Sequence, residues 1–345
     1  MKVVPFMSVV IITFNGAKTL DRTIQSIVSQ DYPSKNFEII VIDDGSTEDI
    51  KIITDKTDCV KYFRQENLGI SAARNRGLEE VLGQIYVSMD DDTIASSNFL
   101  LELAKTYNTK QNIAGVGASM SNDSGSEKLT SSYISSMGAG IGPLVREPIS
   151  SRISSRLKDY ILPSSTPESA YNPIEVLELY GANGSYPVTV LKAVNGWDPM
   201  MSGVEDRDLC YRIKARYPGS KFYGLLTATI IHNPHVSLRN YILRGWKRGP
   251  VNLKFYQRMS MFPPIFPYPI FILILIFASL IFKSILAMLI ILILPQILYY
   301  KWPARVTRTK NWNFLIFPYI QLLEESASLC GLLRGYLRAY RSGNV

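Results

Sequence analysis

The sequence has 345 residues, 47% of them hydrophobic and 19% charged, with 20 Tyr and 14 Phe. That is enough apolar material for one large or two ordinary packed domains, and it excludes a disordered, collagen-like or low-complexity chain. The three cysteines, Cys59, Cys210 and Cys330, are far apart with no CxxC pair, which excludes a disulfide framework or a cysteine zinc site; buried thiols in a reducing compartment are expected.

The net charge of +8 divides unevenly. Residues 1–208 hold 19 Lys+Arg against 27 Asp+Glu, a balance of −8, whereas residues 209–345 hold 18 against 2, a balance of +16. The basic half also contains the most apolar run in the chain, so its expected partner is anionic membrane lipid and not nucleic acid.

Taken in chain order, Met1 to Thr13 is too short for a secretory signal, lacks a cleavage pattern, and reads as a first buried strand. Apolar runs recur at Phe37 to Ile42 and Ile85 to Met89, separated by helical patterns at Leu20 to Ser29 and Ala72 to Leu82. This alternation is the βαβ signature of an α/β fold with a largely parallel sheet. In such sheets the ligand crevice lies beyond the carboxyl ends of the strands, so Asn15, Asp43, Asp44 and Asp90 to Asp92 are expected on one rim. Residues 121–172, rich in Ser, Gly and Pro, read as a variable insertion, either a surface loop or one that gates substrate.

Four groups of residues on that rim could carry chemistry. The strand Ile39 to Ile42 runs into Asp43-Asp44-Gly45-Ser46, and Tyr86 to Met89 runs into Asp90-Asp91-Asp92. Asp followed by Gly is ordinary turn chemistry, but three successive like charges are costly unless something offsets them, and a divalent cation does so well. Glu205-Asp206 opens a helical pattern after Gly196-Trp197-Asp198, a place where acids also serve simply as helix starts. His232 closes the strand-like Ala228 to Ile231, with His235 three residues on, and a histidine among rim carboxylates reads as a metal ligand.

Together these residues resemble the family-2 inverting nucleotide-sugar glycosyltransferases of the GT-A fold. The resemblance rests on ordered blocks over about residues 7 to 235: Ser8 to Asn15, Val41 to Ser46, Asn67-Leu68-Gly69 with Ala72 to Gly77, Asp90 to Asp92, Gly181-Ala182-Asn183, Gly196-Trp197-Asp198 and Glu205-Asp206. It implies an α/β, Rossmann-like GT-A domain with a mostly parallel sheet over 1–238, followed by a C-terminal helical membrane region. It further implies that Asp44 hydrogen-bonds the base of the nucleotide-sugar donor and that Arg74 reaches its base or phosphates, with Thr13, Asn15, Asp43, Asp90 and Asp91 in the same donor site. Asp92 would bind Mn²⁺ or Mg²⁺, with His232 as a further ligand. Asp206 would be the general base, Glu205 its neighbour, and Asn183 and Trp197 would lie on the acceptor side.

A carboxylate at the acceptor position suits a hydroxyl, because a phosphate oxygen is already ionised and needs no base. A glycan or lipid-linked glycan acceptor is therefore favoured over a polyprenyl-phosphate acceptor. A processive synthase is disfavoured because the QxxRW motif of such enzymes is missing, Arg244-Gly245-Trp246 standing in that region. A catalytically silent membrane scaffold of the same fold is the alternative of a different class.

Pro264 to Phe282 and Ser284 to Tyr300 are uncharged runs of 19 and 17 residues, which predicts two transmembrane helices forming a hairpin within 263–300. Residues 239–262, basic and carrying Tyr241, Trp246 and Tyr256, read as an interfacial helix. Residues 301–345 read as a basic, amphipathic tail lying on the membrane, with Glu324 and Glu325 opposing a third span. Basic flanks on both sides of the hairpin predict a multi-pass cell-membrane protein whose catalytic domain is cytoplasmic.

Overall fold

The computed structural model describes residues 4–121, 129–136, 173–232, 237–283 and 285–341. The chain forms two compact units: the first holds the sheet, and the second holds Lys128–Tyr133 and the C-terminal helices.

In the first unit the chain alternates as expected: β1 (Met7–Thr13), α1 (Leu20–Val28), β2 (Phe37–Asp43), α2 (Lys51–Thr54), β3 (Val60–Arg64), α3 (Ile70–Glu80) and β4 (Ile85–Asp90). There follow β5 (Thr93–Ala95), α4 (Phe99–Thr109), β6 (Ile113–Ser121), α5 (Leu129–Ser136), whose residues up to Tyr133 belong to the second unit, β7 (Ile174–Val176), β8 (Gly184–Pro187), α6 (Val188–Ala193), α7 (Glu205–Arg216) and β9 (Lys221–His232). The sheet order is β3-β2-β1-β4-β8-β6-β9-β5, with β7 also paired to β9. The β3-β2-β1-β4 half is wholly parallel, whereas β8, β5 and β7 run antiparallel to their neighbours, so the sheet is mixed.

The strands read as continuous apolar runs because both faces are covered. Met7, Val9 and Ile11 enter one core with Leu20, Ile24 and Ile27 of α1, while Val10 and Ile12 enter the other with Ala73, Tyr86 and Trp197. Each fully buried aliphatic side chain contributes about 1.5–3 kcal/mol. The parallel register sets Thr13 opposite Asp43 and Ile12 opposite Asp90, so the polar residues that end β1, β2 and β4 meet on one rim.

The second unit contains α8 (Leu238–Arg258), α9 (Pro267–Phe282), α10 (Ile285–Leu298), α11 (Pro303–Thr309) and α12 (Phe317–Arg341). The structure lends the expected pair of transmembrane helices no support: among the described residues no helix is long and apolar enough to cross a membrane. α9 and α10 have 16 and 14 residues, or about 24 and 21 Å at 1.5 Å per residue, against a hydrocarbon core of about 30 Å. The uncharged runs are longer than the helices they make. Proline at the first turn delays the start of α9 to Pro267, and Lys283, left-handed at φ 48°, ends it.

The interior of this unit is aromatic, with Tyr133, Tyr299, Trp302, Phe314 and Phe317 buried together. Glu324 and Glu325 turn into it. Tyr133 Oη donates to Glu324 at 2.9 Å, and Tyr299 Oη and Gln321 Nε2 each donate to Glu325 at 2.7 Å. Buried thiols were expected throughout, but only Cys210 is buried, Cys59 and Cys330 being exposed. His235 and nearly all of the 121–172 insertion lie outside the described residues.

Candidate active site

The first wall of the rim comes from the turns after β1 and β2. Asn15 takes a left-handed conformation, φ 58°, which asparagine tolerates better than most residues. Its side-chain oxygen accepts from Thr47 N at 2.8 Å, and its amide donates to Ser46 Oγ at 2.8 Å. Asp43 is fully buried and spends its carboxylate on the fold, accepting from Ser46 N, Tyr62 Oη and Arg64 Nη1 at 2.8, 2.8 and 3.2 Å. Asp44, 6% exposed, accepts from Gln65 Nε2 and from the amides of Leu68 and Gly69 at 2.7, 3.0 and 2.8 Å. Gly45 has φ 80°, and a Cβ there would meet Asn67 N at 2.7 Å, so the turn that aims these acids requires glycine.

The floor comes from the end of β4. Asp91 turns inward, accepts from Thr13 Oγ1, and is pushed up to about 6 by burial, with Asp92 and Asp90 adding and the Thr13 bond opposing. Asp90 and Asp92 face the rim, and β5 pairs antiparallel with β9 so that Thr93 lies opposite His232. His232 Nε2 thereby sits 3.2 Å from Asp92 Oδ1. Asp90, Asp92 and His232 each offer a ligand atom within 4.8 Å of the other two. Two carboxylates and one imidazole form a donor set that fits Mn²⁺, and fits Mg²⁺ through the oxygens alone.

The third wall is the first turn of α7, and Arg74 of α3 organises it. Arg74 is 1% exposed, with Nη1 at 2.8 Å from Asp206 and 3.2 Å from Glu205, and Nη2 at 3.3 Å from Asp90. Its guanidinium lies 5.9 Å from the Trp197 ring centroid. Arg74 thus sits among Asp90, Glu205 and Asp206 as a buried counter-ion. Asp206 also accepts from Gly181 N at 2.8 Å and keeps 27% of its side chain exposed. Burial pushes its carboxyl up to about 7; Arg74 opposes that shift, and Glu205 and Asp90 add to it. Glu205 is fixed by Arg74 and by Gly203 N at 2.5 Å.

The two residues expected on the acceptor side are buried. Asn183, 1% exposed, donates to Ala118 O at 2.7 Å, and Trp197, also 1% exposed, packs 5.2 Å from Tyr86. Asn75 holds the Trp197 backbone from both sides, at 2.7 and 2.8 Å.

Sequence reasoning did not single out Gly181 as a site residue. A Cβ there would fall within 2.5 Å of Arg74 Nη2 and of both Asp206 carboxylate oxygens, so any larger residue would displace those side chains. Nor did it find the fork from Arg207 to Glu178, at 3.0–3.3 Å, which pins that loop. Their partners lie 25 and 29 residues away, and only the Gly-x-Asn spacing at 181–183 offered a signal.

A mixed sheet gathers acids from the carboxyl ends of its parallel strands beside a carboxylate pair that opens a helix, an α/β, GT-A-like fold. Residues 8–171 match the model of the family described as "Glycosyl transferase family 2". Among curated proteins, the cholesterol galactosyltransferase of Borreliella burgdorferi is 40% identical over 98 residues, 27% of this chain and 27% of that protein. The GalNAc(5)-diNAcBac-PP-undecaprenol beta-1,3-glucosyltransferase of Campylobacter jejuni is 36% identical over 110 residues, 30% of this chain and 35% of that protein. The chain therefore spans about a third or less of the length of these relatives. Among solved structures, the mannosyltransferase PcManGT of Pyrobaculum calidifontis, in complex with GDP-Man and Mn²⁺, aligns over 95% of this chain and 87% of its own. Its TM-score is 0.59 at 15% identity. GalNAc-T7 with UDP, GalNAc and Mn²⁺ aligns over 73% and 50% with a TM-score of 0.51 at 19% identity. These two likenesses concern the fold.

Proposed function

We propose that the protein is an inverting, metal-dependent glycosyltransferase that moves a sugar from a nucleotide-diphosphate sugar to a hydroxyl of a glycan or lipid-linked glycan, at the cytoplasmic face of a membrane. The observation that carries this reading is Asp206: a partly exposed carboxylate held at 2.8 Å by both Arg74 and Gly181 N and raised toward neutrality by burial. A base near neutrality is matched to taking a proton from a hydroxyl as the anomeric bond breaks. Two of the similar proteins are named for a sterol and for an undecaprenol-linked glycan, which supports a lipid-borne acceptor.

On this reading Arg74 keeps Asp206 available as a base by offsetting the charge of Glu205 and Asp90 around it. Glu205 has both its oxygens occupied and positions the first turn of α7. Asp90, Asp92 and His232 would hold Mn²⁺ or Mg²⁺, which when bound supplies charge neutralisation to a departing diphosphate. Asn15 and Asp44 shape the turns that the nucleotide lies against.

The test is a thermal-shift and donor-hydrolysis screen of the full chain with UDP-, GDP- and dTDP-sugars, each with Mn²⁺, Mg²⁺ or EDTA. One nucleotide should stabilise the protein only with metal, and Asp92→Ala should lose that response. Silence toward every nucleotide with every metal would overturn the reading in favour of a silent scaffold.

A further inference from the structure

We infer that α9 and α10 form a re-entrant hairpin that enters a single leaflet of an anionic bilayer and returns from the same leaflet, without crossing. This deepens the membrane-surface part of the proposed function and is independent of which sugar is transferred.

The first observation is how the hairpin is buried. At its base, Pro269 and Ile272 on α9 and Tyr299, just past the end of α10, are buried. Beyond Ile272 most apolar side chains of α9 are open, Leu273, Ile274, Phe277, Leu280, Ile281 and Phe282 being 59–78% exposed, while Leu275 is half-buried and Ser279 is buried. On α10, Leu292, Ile293 and Ile297 are 60–64% exposed. A contiguous apolar surface of this kind is not left to water by a folded protein. The stretch of α9 from Leu273 to Phe282, exposed on most of its faces, is ten residues, about 15 Å, half of a hydrocarbon core of about 30 Å.

The second observation is charge. From Ser237 to Arg341 the sequence has fourteen Lys and Arg and only two acids, Glu324 and Glu325. Both acids are hydrogen-bonded inside the aromatic core by Tyr133, Tyr299 and Gln321. Among the described residues of 237–341 no other acid offsets the basic side chains, a balance complementary to anionic headgroups. Aromatic and basic side chains pair as they do at a lipid interface, Arg334 lying 4.5 Å above the ring of the exposed Trp246.

Lys283 sets the depth. It occupies the left-handed turn at the tip, where an upright hairpin would bring its ammonium to mid-bilayer. A long lysine side chain returns its charge to the headgroups instead, so the hairpin lies tilted within one leaflet.

The test uses the full chain in two arms. In flotation, the protein should partition at least tenfold better onto vesicles containing phosphatidylglycerol than onto phosphatidylcholine alone. Phe277→Glu with Leu280→Glu, both at exposed positions, should lower partitioning at least tenfold while the metal-dependent nucleotide shift of the first unit persists. Equal binding to neutral vesicles, or undiminished flotation of the double variant, would overturn the inference. In the topology arm, Lys283→Cys in a Cys59→Ser, Cys210→Ser background is reconstituted and treated with an impermeant maleimide, Cys330 marking the protein's own side. Position 283 should react from the Cys330 side or from neither; reaction from the opposite side would show a crossing hairpin. Because the nucleotide shift is read separately, failure here leaves the glycosyltransferase reading standing, and the reverse also holds.

Discussion

Asp206 and Arg74 carry opposite demands in one small volume. A buried guanidinium among Asp90, Glu205 and Asp206 faces three carboxylates, so the cluster retains excess negative charge. Burial first, with the charges of Glu205 and Asp90 adding and Arg74 opposing, pushes Asp206 up from 3.8 to about 7. Two consequences have a definite sign. Transfer needs the ionised base, so kcat should rise with pH through about 7 and level off above it. The folded-state pKa lies above the unfolded one, so folding takes up a proton between about pH 4 and 7; stability contributed by Asp206 falls across that window as pH rises and is flat above it. Asp206→Asn should cost transfer about 10²- to 10⁴-fold, keep the metal-dependent nucleotide shift, and flatten the pH dependence of Tm. A kcat profile of Asp206→Asn that still rises through pH 7 at wild-type rates would show that another group is the base.

The element that presents Asp206 is the pairing of the loop after β7 with the first turn of α7. Glu178 and Arg207 pin this loop, Leu179 N donates to Cys210 Sγ at 3.4 Å, and Gly181 meets the carboxylate. Gly181→Ala puts a methyl where Asp206 and Arg74 now sit, and a displacement near 1 Å at a reacting group can cost about 10²-fold. The expected result is a kcat lowered on that scale with donor KM unchanged; an unaltered kcat would mean the loop gives way without moving the base. The strands that frame this element were legible in sequence, because runs such as Ser8 to Thr13 and Ile39 to Asp43 are uninterrupted apolar stretches ending in acids. The burial of Arg74 was not. The Ile70–Glu80 helix carries charge on most of its faces, and the acids that make an inward arginine tolerable lie 131 and 132 residues further along. The ends of the two hairpin helices were not legible for a related reason. Counting uncharged residues ignores that Pro267 and Lys283 fix where the backbone can be helical.

Two units with separate cores should also unfold as separate cooperative blocks, and the helix contact between α8 and α12 gives a way to address one of them alone. These helices approach through Gly245, Gly249, Gly331 and Gly335, where a Cβ on Gly249 would run into the Gly331 backbone itself. Backbone cannot swing aside as a flexible side chain can, so Gly249→Ala has to push the helices apart and loosen the aromatic core around Trp302 and Phe317. Overpacking of this kind costs about 1–3 kcal/mol. Calorimetry of the full chain in detergent should show the transition of the helical unit moved down by several degrees. The transition of the sheet unit should stay in place and still climb when the responding nucleotide and metal are added, since none of the rim residues belongs to the altered core. Loss of the nucleotide response in Gly249→Ala would instead mean that the rim depends on the helical unit, and the two would then have to be treated as one folding block.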